Sequence, residues 1–169
     1  MQKKPLFIML GLFIAPILVA KIVLVNNWYQ GAKTNAGELI TPPLSLSLAP
    51  QAWLLLYNPT DNCSAICQES IWQIQQVHTL LASEGDRVQR YLTALPSLQS
   101  ERIDTQALTK LQLSATNQQQ LSSDTLYLVD PLGNIFMRYQ FTADKTAAMK
   151  VSAGLLKDLK RLLKISKIG

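Results

Sequence analysis

Residues 52–67 read AWLLLYNPTDNCSAIC, and this stretch decides the fold because it joins a buried strand to a cysteine-bearing helix. Ala52–Asn58 is a short, continuous apolar run, which is typical of a strand that is buried on both faces. A loop of turn and capping residues follows, and a helix is predicted from Cys63 to about Ser83. One face of this helix is formed by residues at intervals of three or four: Cys67, Ile71, Ile74, His78 and Leu81.

The segment after this helix predicts one more strand and one more helix. Gly85 and Asp86 are expected to end the first helix. Arg87–Leu95 is predicted to be a strand and Asp104–Leu113, or beyond, a helix. Gln118–Gln120 and Ser122-Ser123 are predicted to form a polar loop.

The carboxyl-terminal part predicts a β-hairpin followed by a helix. Thr125–Val129 and Ile135–Tyr139 are the two strands, and Asp130–Gly133 between them has the residue preferences of a type I turn. Thr146–Lys164 is the last predicted helix. One face of it carries an apolar stripe: Val151, Leu155, Leu159, Leu162 and Leu163.

The predicted order is therefore β-α-β-α-β-β-α, and the fold class is α/β. A helix that joins the first two strands makes them parallel, and the hairpin adds an antiparallel pair. This is the arrangement of a thioredoxin-like core. We therefore predict one thioredoxin-like domain over residues 49–169.

The amino end predicts a single transmembrane helix. Residues 6–25 read LFIMLGLFIAPILVAKIVLV, a run that spans about 30 Å as a helix, the thickness of a bilayer's hydrocarbon core. Lys3 and Lys4 precede it, so the positive-inside rule leaves residues 1–5 in the cytoplasm. We predict an anchor at residues 6–26 and an irregular tether at residues 27–48.

This topology predicts a single-pass protein of the bacterial inner (plasma) membrane with its domain in the periplasm. The alternative is a cleaved signal peptide, for which Leu18-Val19-Ala20 is a weak cleavage site.

Composition and charge exclude several classes of protein. The net charge is +4 over residues 1–33, −4 over residues 34–143 and +5 over residues 144–169. This distribution does not form one basic face, so nucleic acid is not expected as a partner. A hydrophobic content of 48% excludes a disordered chain, and two cysteines exclude a disulfide-stapled mini-protein. The chain has one histidine and no P-loop, GxGxxG or HExxH motif.

Cys63 and Cys67 are the candidate catalytic residues. They lie where the first domain strand leads into a helix, and a helix amino terminus stabilises a thiolate and lowers its pKa. At this spacing the two sulfurs can form a disulfide or bind one soft metal ion. A purely structural disulfide is the alternative, although a bridge that closes so short a loop adds little stability.

These features together resemble the SCO/SenC proteins, thioredoxin-like copper chaperones and thiol reductases of cytochrome c oxidase assembly. The resemblance is strongest to short, membrane-anchored SCO-like proteins, and it covers most of residues 50–169. It implies a cytochrome c oxidase subunit or a copper chaperone as partner. Besides the CxxxC motif, four segments carry it: Asp86–Arg90, Tyr127–Asn134, Met137–Tyr139 and Lys157–Lys164.

The sequence departs from the copper-binding members of that family at two positions. Gln68 follows the second cysteine where they have proline, and Ser122 lies where they have a histidine ligand. His78 cannot replace that ligand, because eleven residues of helix place it about 16 Å from Cys67. Met137 and Met149 are soft enough for Cu(I) but are predicted to pack. Cu(I) is therefore expected, if at all, on Cys63 and Cys67 without a third ligand.

The last helix carries five cations outside its leucine stripe. A domain joined to a membrane anchor is held near lipid, so these cations predict docking to membrane lipid or to a partner. The alternative is an ordinary solvated helix face. The cations are Lys157, Lys160, Arg161, Lys164 and Lys167.

The leading hypothesis is a membrane-anchored thiol–disulfide protein that assists assembly of the cytochrome c oxidase copper site. Cys63 would attack a client and Cys67 would resolve the mixed disulfide. One alternative is a Cu(I) metallochaperone that uses the two thiolates. Another is a non-catalytic assembly factor in which Cys63–Cys67 is a permanent bridge.

Overall fold

The computed structural model describes residues 4–26, 34–46, 50–60, 62–98, 101–106 and 108–168. The chain forms two compact units, Met1–Thr34 and Asn35–Gly169. The first contains helix α1, Lys4–Val25, and its segment Phe7–Val25 is long and apolar enough to cross a membrane. The predicted amino-terminal apolar helix is thus present, with Pro16 inside it.

The second unit is built on a six-stranded mixed sheet. Its strand order is β1-β6-β5-β2-β3-β4. The strands are β1 (Glu38–Ser45), β2 (Trp53–Asn58), β3 (Val88–Leu92), β4 (Thr109–Lys110), β5 (Thr125–Val129) and β6 (Asn134–Gln140). The helices are α2 (Ala65–Leu80), a 3-10 helix at Ala82–Arg87, α3 (Ala115–Gln119) and α4 (Lys145–Ile165).

The central strand β2 confirms the prediction made from the apolar run. All six of its residues are buried, because it pairs on both sides and is covered on both faces. It runs parallel to β3, the strand reached through α2, and antiparallel to β5. Strands β5 and β6 form the predicted antiparallel hairpin. The α/β, thioredoxin-like architecture is therefore as predicted.

The prediction of an irregular tether is wrong for residues 38–45. Strand β1 pairs antiparallel with β6, with Glu38 opposite Arg138 and Ser45 opposite Asn134. The pair Pro42-Pro43 lies where the register shifts, on the outer strand of the sheet. An edge strand tolerates proline because one side of it needs no backbone N–H donors. Residues 27–33 and 47–48 of the predicted tether lie outside the described residues.

The prediction of a helix at Asp104–Leu113 is also wrong. The segment contains the two-residue strand β4, and α3 begins only at Ala115. Its leucines do not share one face, since Leu108 packs in the core cluster that contains α2 while Leu111 packs in the other. The preceding loop is held to α2 by Gln75, which exchanges hydrogen bonds of 2.8 and 3.1 Å with the backbone of Asp104.

Smaller differences concern the ends of elements. Helix α2 begins two residues after Cys63, and a 3-10 helix follows it where Gly85 and Asp86 were expected to end it. Strand β3 is shorter than the predicted Arg87–Leu95. Helix α4 matches the prediction, with Leu155, Leu159 and Leu163 of the apolar stripe fully buried.

The turn between β5 and β6 is closed as its sequence predicts. The Gly133 N–H donates to the Asp130 carbonyl at 2.9 Å. The Asp130 carboxylate accepts from the N–H groups of Leu132 and Asn134 at 2.9 and 2.8 Å. Gly133 has a φ of 89°, a conformation that favours glycine.

Candidate thiol-disulfide site

The two cysteines lie at the amino end of α2 and are joined by a disulfide. Cys63 directly precedes the N-cap residue Ser64, and Cys67 lies in the first turn of the helix. Their Cα atoms are 5.1 Å apart. The sequence predicted this location but did not decide between a disulfide and a metal site.

The two sulfurs differ in exposure. Cys67 is fully buried against the core, whereas Cys63 is only partly buried at the rim of the domain. An attacking nucleophile reaching the disulfide from solvent therefore meets Cys63 first. The same asymmetry would present Cys63 to a client in the reduced state.

Local hydrogen bonds fix the loop that carries the cysteines. The Ser64 hydroxyl accepts from the Cys67 N–H at 3.4 Å and so caps the helix. Gln68 makes two bonds, from its N–H to the Ser64 carbonyl at 3.0 Å and from its side-chain amide to the Cys63 carbonyl at 3.3 Å. A proline at this position could make neither bond, because it has no N–H and no amide side chain.

A second loop supports this site from the side. The Asp124 carboxylate accepts from the Tyr57 hydroxyl at 3.1 Å and from the N–H and hydroxyl of Thr60 at 3.4 Å. The Asp124 N–H donates to the Asn58 carbonyl at 2.7 Å. Burial raises the pKa of Tyr57 above its usual range, and the Asp124 carboxylate adds to that effect. Asp124 therefore ties the loop before Cys63 to the start of β5.

The role of Asp124 was not predicted from the sequence. The available signal was an Asp directly before a buried strand. Asp124 also has a φ of 50°, and Asn and Asp tolerate that left-handed conformation better than most residues.

A polar cleft of about 480 Å³ opens beside the cysteine loop. It lies between the loop that follows β2 and the segment that precedes β5. Asn62, the residue before Cys63, is part of its wall. Its other lining residues are mostly uncharged and polar: Asn58, Pro59, Thr60, Gln118, Leu121 and Ser123.

The described residues place no third metal-binding side chain beside the cysteines. Among the described residues, no three His, Cys, Asp or Glu side chains come together in a metal-binding group. Ser122 is exposed, and its N–H donates to the Tyr127 hydroxyl at 2.7 Å. The donor set is thus two sulfurs, which does not fit a three-ligand copper site.

The other soft or titratable candidates lie elsewhere. His78 is near the carboxyl end of α2, where its Nε2 lies 2.9 Å from the Val88 carbonyl. Burial lowers the pKa of His78, and the Arg90 cation lowers it further. Met137 is buried in the core, as predicted, but Met149 is 61% exposed, so the prediction that it packs is wrong.

The five predicted docking cations are all exposed on or just after α4. They are Lys157, Lys160, Arg161, Lys164 and Lys167. Their exposure is what docking requires, and it is equally what a solvated helix face would show.

Comparison with known proteins gives a family and a fold. Residues 53–166 match the family model described as "Transmembrane-like, thioredoxin-like, C-terminal domain". No curated protein sequence matches the chain. Apo Sco1 from Thermus thermophilus has a TM-score of 0.50 and 16% identity, over 76% of this chain and 99% of its own.

Two further solved structures are more distant. A SCO1/SenC family lipoprotein from Bacillus anthracis has a TM-score of 0.46 and 13% identity, over 73% of this chain and 98% of its own. BsSco has a TM-score of 0.42 and 12% identity, over 81% of this chain and 100% of its own. It is described as a member of the Sco family of cytochrome c oxidase assembly proteins with a disulfide switch.

The match to the family model covers the sheet from β2 onward, both cysteines and all of α4. The likeness to Sco1 shows that this sheet and its helices have the arrangement of a Sco-like thioredoxin fold. The chain therefore belongs to the family of transmembrane-like, thioredoxin-like C-terminal domains.

Proposed function

We propose that this protein is a membrane-anchored thiol–disulfide protein that assists assembly of cytochrome c oxidase at its copper site. The observation that carries the proposal is the Cys63–Cys67 disulfide at a helix amino terminus, with one sulfur near the surface and the other buried. Sequence resemblance to SCO/SenC proteins and the Sco-like fold support the oxidase as the client system. The apolar helix supports an anchor in the bacterial inner membrane, with the domain in the periplasm.

The proposed reaction is two-step exchange with a client disulfide. The Cys63 thiolate attacks one client sulfur, the client S–S bond breaks, and the second client sulfur leaves as a thiolate. The Cys67 thiolate then attacks Cys63, which forms the Cys63–Cys67 bond and releases the first client thiol. Two electrons pass to the client, which gains two protons from water. A dithiol donor must reduce the Cys63–Cys67 bond before the next cycle.

The positions of the residues support this division of roles. The helix amino terminus stabilises negative charge on a sulfur near Ser64, so Cys63 and Cys67 are both in a favourable field. Partial exposure suits Cys63 for attack on a macromolecule. Burial of Cys67, four residues on, suits it for the intramolecular second step.

A trapping experiment tests these roles directly. Reduced wild type, Cys63→Ser and Cys67→Ser proteins are mixed with a peptide that contains one disulfide, and the products are resolved by mass spectrometry. We expect wild type to reduce the peptide and Cys63→Ser to be inactive. Cys67→Ser should accumulate a mixed disulfide at Cys63, since no resolving thiol remains. Accumulation at Cys67 in the Cys63→Ser protein would reverse the assignment.

Cu(I) transfer on the two thiolates is the second candidate function. It is favoured by the two adjacent soft sulfurs and opposed by the absence of a third ligand among the described residues. A Cu(I) competition titration of the reduced protein, beside a Cys63→Ser, Cys67→Ser control, separates the two functions. Stoichiometric binding that the control lacks would support the copper chaperone, and equal weak binding would support exchange.

A further inference from the structure

One face of α4 carries a continuous row of cations. Lys150, Lys157, Lys160, Arg161 and Lys164 follow the helical repeat and are all exposed. We call this row the cationic stripe. It lies opposite the face that buries Leu155, Leu159 and Leu163 in the core. From Lys157 to Lys164 the stripe therefore faces away from the core, whereas Lys150 lines a cleft with Glu38 and Arg138.

The charge of this row is not neutralised within the domain. The only acid between residues 157 and 168 is Asp158, which is 5% exposed and accepts hydrogen bonds from three groups elsewhere. In the described part of the chain, the ion pairs within 4.0 Å involve Arg87, Arg102 and Arg138 and no member of the stripe. The charged side chains on the outer surface of residues 157–168 are consequently all positive.

Two exposed isoleucines continue the stripe at its carboxyl end. Ile165 is 71% exposed and Ile168 is 62% exposed. Arg87 holds this end in place, because its guanidinium donates to the carbonyls of Leu163, Ser166 and Ile168 at 3.0, 2.8 and 3.3 Å. Exposed apolar side chains among lysines form the pattern of a surface that enters the headgroup region of a bilayer.

The chain from the apolar helix joins the domain beside the stripe. The N–H groups of Ala36 and Gly37 donate to the Asp158 carboxylate at 2.8 and 3.0 Å. Ala36 also lies against Gly154 on α4. Ten residues lie between Val25 and Ala36, so the Cα atoms of these two residues are at most about 40 Å apart when the chain is fully extended. An anchor inserted in a membrane would therefore keep the domain at a high local concentration near lipid.

We propose that the cationic stripe, with Lys167, Ile165 and Ile168, docks on anionic phospholipid headgroups. This goes beyond the exchange reaction and depends on the anchor being inserted in a membrane. Lipid fits better than an acidic protein surface, because the isoleucines lie among the cations and the adjacent chain leads to the anchor. Docking would fix the orientation of the domain relative to membrane-embedded clients.

Lysine footprinting of the full chain in nanodiscs tests this proposal. Acylation by an N-hydroxysuccinimide ester is followed by mass spectrometry in phosphatidylcholine alone and with phosphatidylglycerol added to about a third of the lipid. We expect Lys157, Lys160, Lys164 and Lys167 to react at least threefold more slowly with phosphatidylglycerol. Lys110 on β4 and Lys145 at the start of α4 are the internal controls and should not change. High salt should abolish the protection, because it screens exposed charges.

A charge-reversal variant provides the matched test. Lys160→Glu with Arg161→Glu should remove the protection of Lys164 and Lys167, and Lys110→Glu should leave it intact. Unchanged reactivity of Lys110 and Lys145 would show that the variant is folded. Equal reactivity of the stripe lysines in both lipids, or protection that survives the reversal, would overturn the proposal.

Discussion

The disulfide loop and the flank where β1 meets α4 are built in different ways. In the loop, Cys63, Ser64, Cys67 and Gln68 contact one another within six residues of chain. On the flank, the Asp158 carboxylate binds Ala36 and Gly37, which are 122 and 121 residues away, and also Tyr139. The first region carries the proposed chemistry, and the bonds within it are local, although Asp124 supports the loop before it. The second carries stability and joins the first segment of the domain to its last helix.

The difference implies that changes in one region should leave the other largely unaffected. Substitutions on the flank should change the free energy of unfolding and leave the redox behaviour of the cysteines as it is. Substitutions in the loop should change the redox behaviour of the cysteines and should have a smaller effect on the free energy of unfolding.

The largest effect on stability is expected from Asp158→Ala. It leaves the buried Gly37 N–H, the Tyr139 hydroxyl and the part-buried Ala36 N–H without their shared acceptor, which costs about 2–4 kcal/mol of unfolding free energy. Guanidinium unfolding of the oxidised protein measures this cost. Tyr139→Phe is the matched control and should cost less, because it removes one donor and leaves the carboxylate with two. A loss below about 1 kcal/mol for Asp158→Ala would show that the flank is not what holds β1.

The effect of Gly154→Ala on the free energy of unfolding is expected to change sign with the residue at position 36. A Cβ added there would lie 2.5 Å from the Cβ of Ala36, so Gly154→Ala should destabilise the domain by about 1–2 kcal/mol. In an Ala36→Gly background the same change should stabilise it by up to about 1 kcal/mol, since alanine favours helix over glycine. A double-mutant cycle of unfolding free energies checks this. Equal effects in both backgrounds would mean that the segment does not lie on α4.

A smaller effect is expected from Gln68→Leu in the loop. The substitution removes the bond to the Cys63 carbonyl and keeps the N–H bond to Ser64, which predicts a loss of about 0.5–1 kcal/mol in the oxidised protein. Gln119→Leu, on the exposed α3, is the control for added apolar surface. A loss as large as that of Asp158→Ala would break the contrast between the two regions.

The smallest expected effect is that of His78, near the carboxyl end of α2, on the pH dependence of the free energy of unfolding. The pKa of His78 is lowered in the folded state, so the unfolded chain binds more protons as pH falls below about 6.5. The contribution of His78 to the free energy of unfolding is therefore present above that pH. It is lost as the pH falls through the pKa that His78 has in the folded protein. Comparing unfolding free energies of wild type and His78→Gln between pH 5 and pH 7 checks this. An identical slope in the two proteins would contradict it.

The same contrast explains what could be predicted from sequence. The β2–loop–α2 unit, the β5–β6 hairpin and α4 were predictable because their signals are local: an apolar run, a capped helix start and a type I turn. Strand β1 was not, because its partner β6 lies 100 residues away at the Glu38–Arg138 pair, and the prolines indicated a loop. The helix predicted at residues 104–113 failed because its leucines divide between the two faces of the sheet.

The site was predictable to the same extent. The positions of both cysteines follow from the chain, but the support from Asp124 does not, since it comes from a loop 64 residues after Thr60. Asp158 had a usable signal, because it falls on the leucine face of α4, where an acid needs buried donors.

The most direct test of the proposed function is a redox titration of Cys63–Cys67 in the full chain, with mass spectrometry after thiol alkylation. The proposal predicts a reversible two-electron transition between about −120 and −270 mV, the range of proteins that exchange disulfides. The Cys63→Ser, Cys67→Ser protein is the baseline. A bridge that stays oxidised below about −300 mV would contradict the proposal and identify Cys63–Cys67 as a permanent structural disulfide.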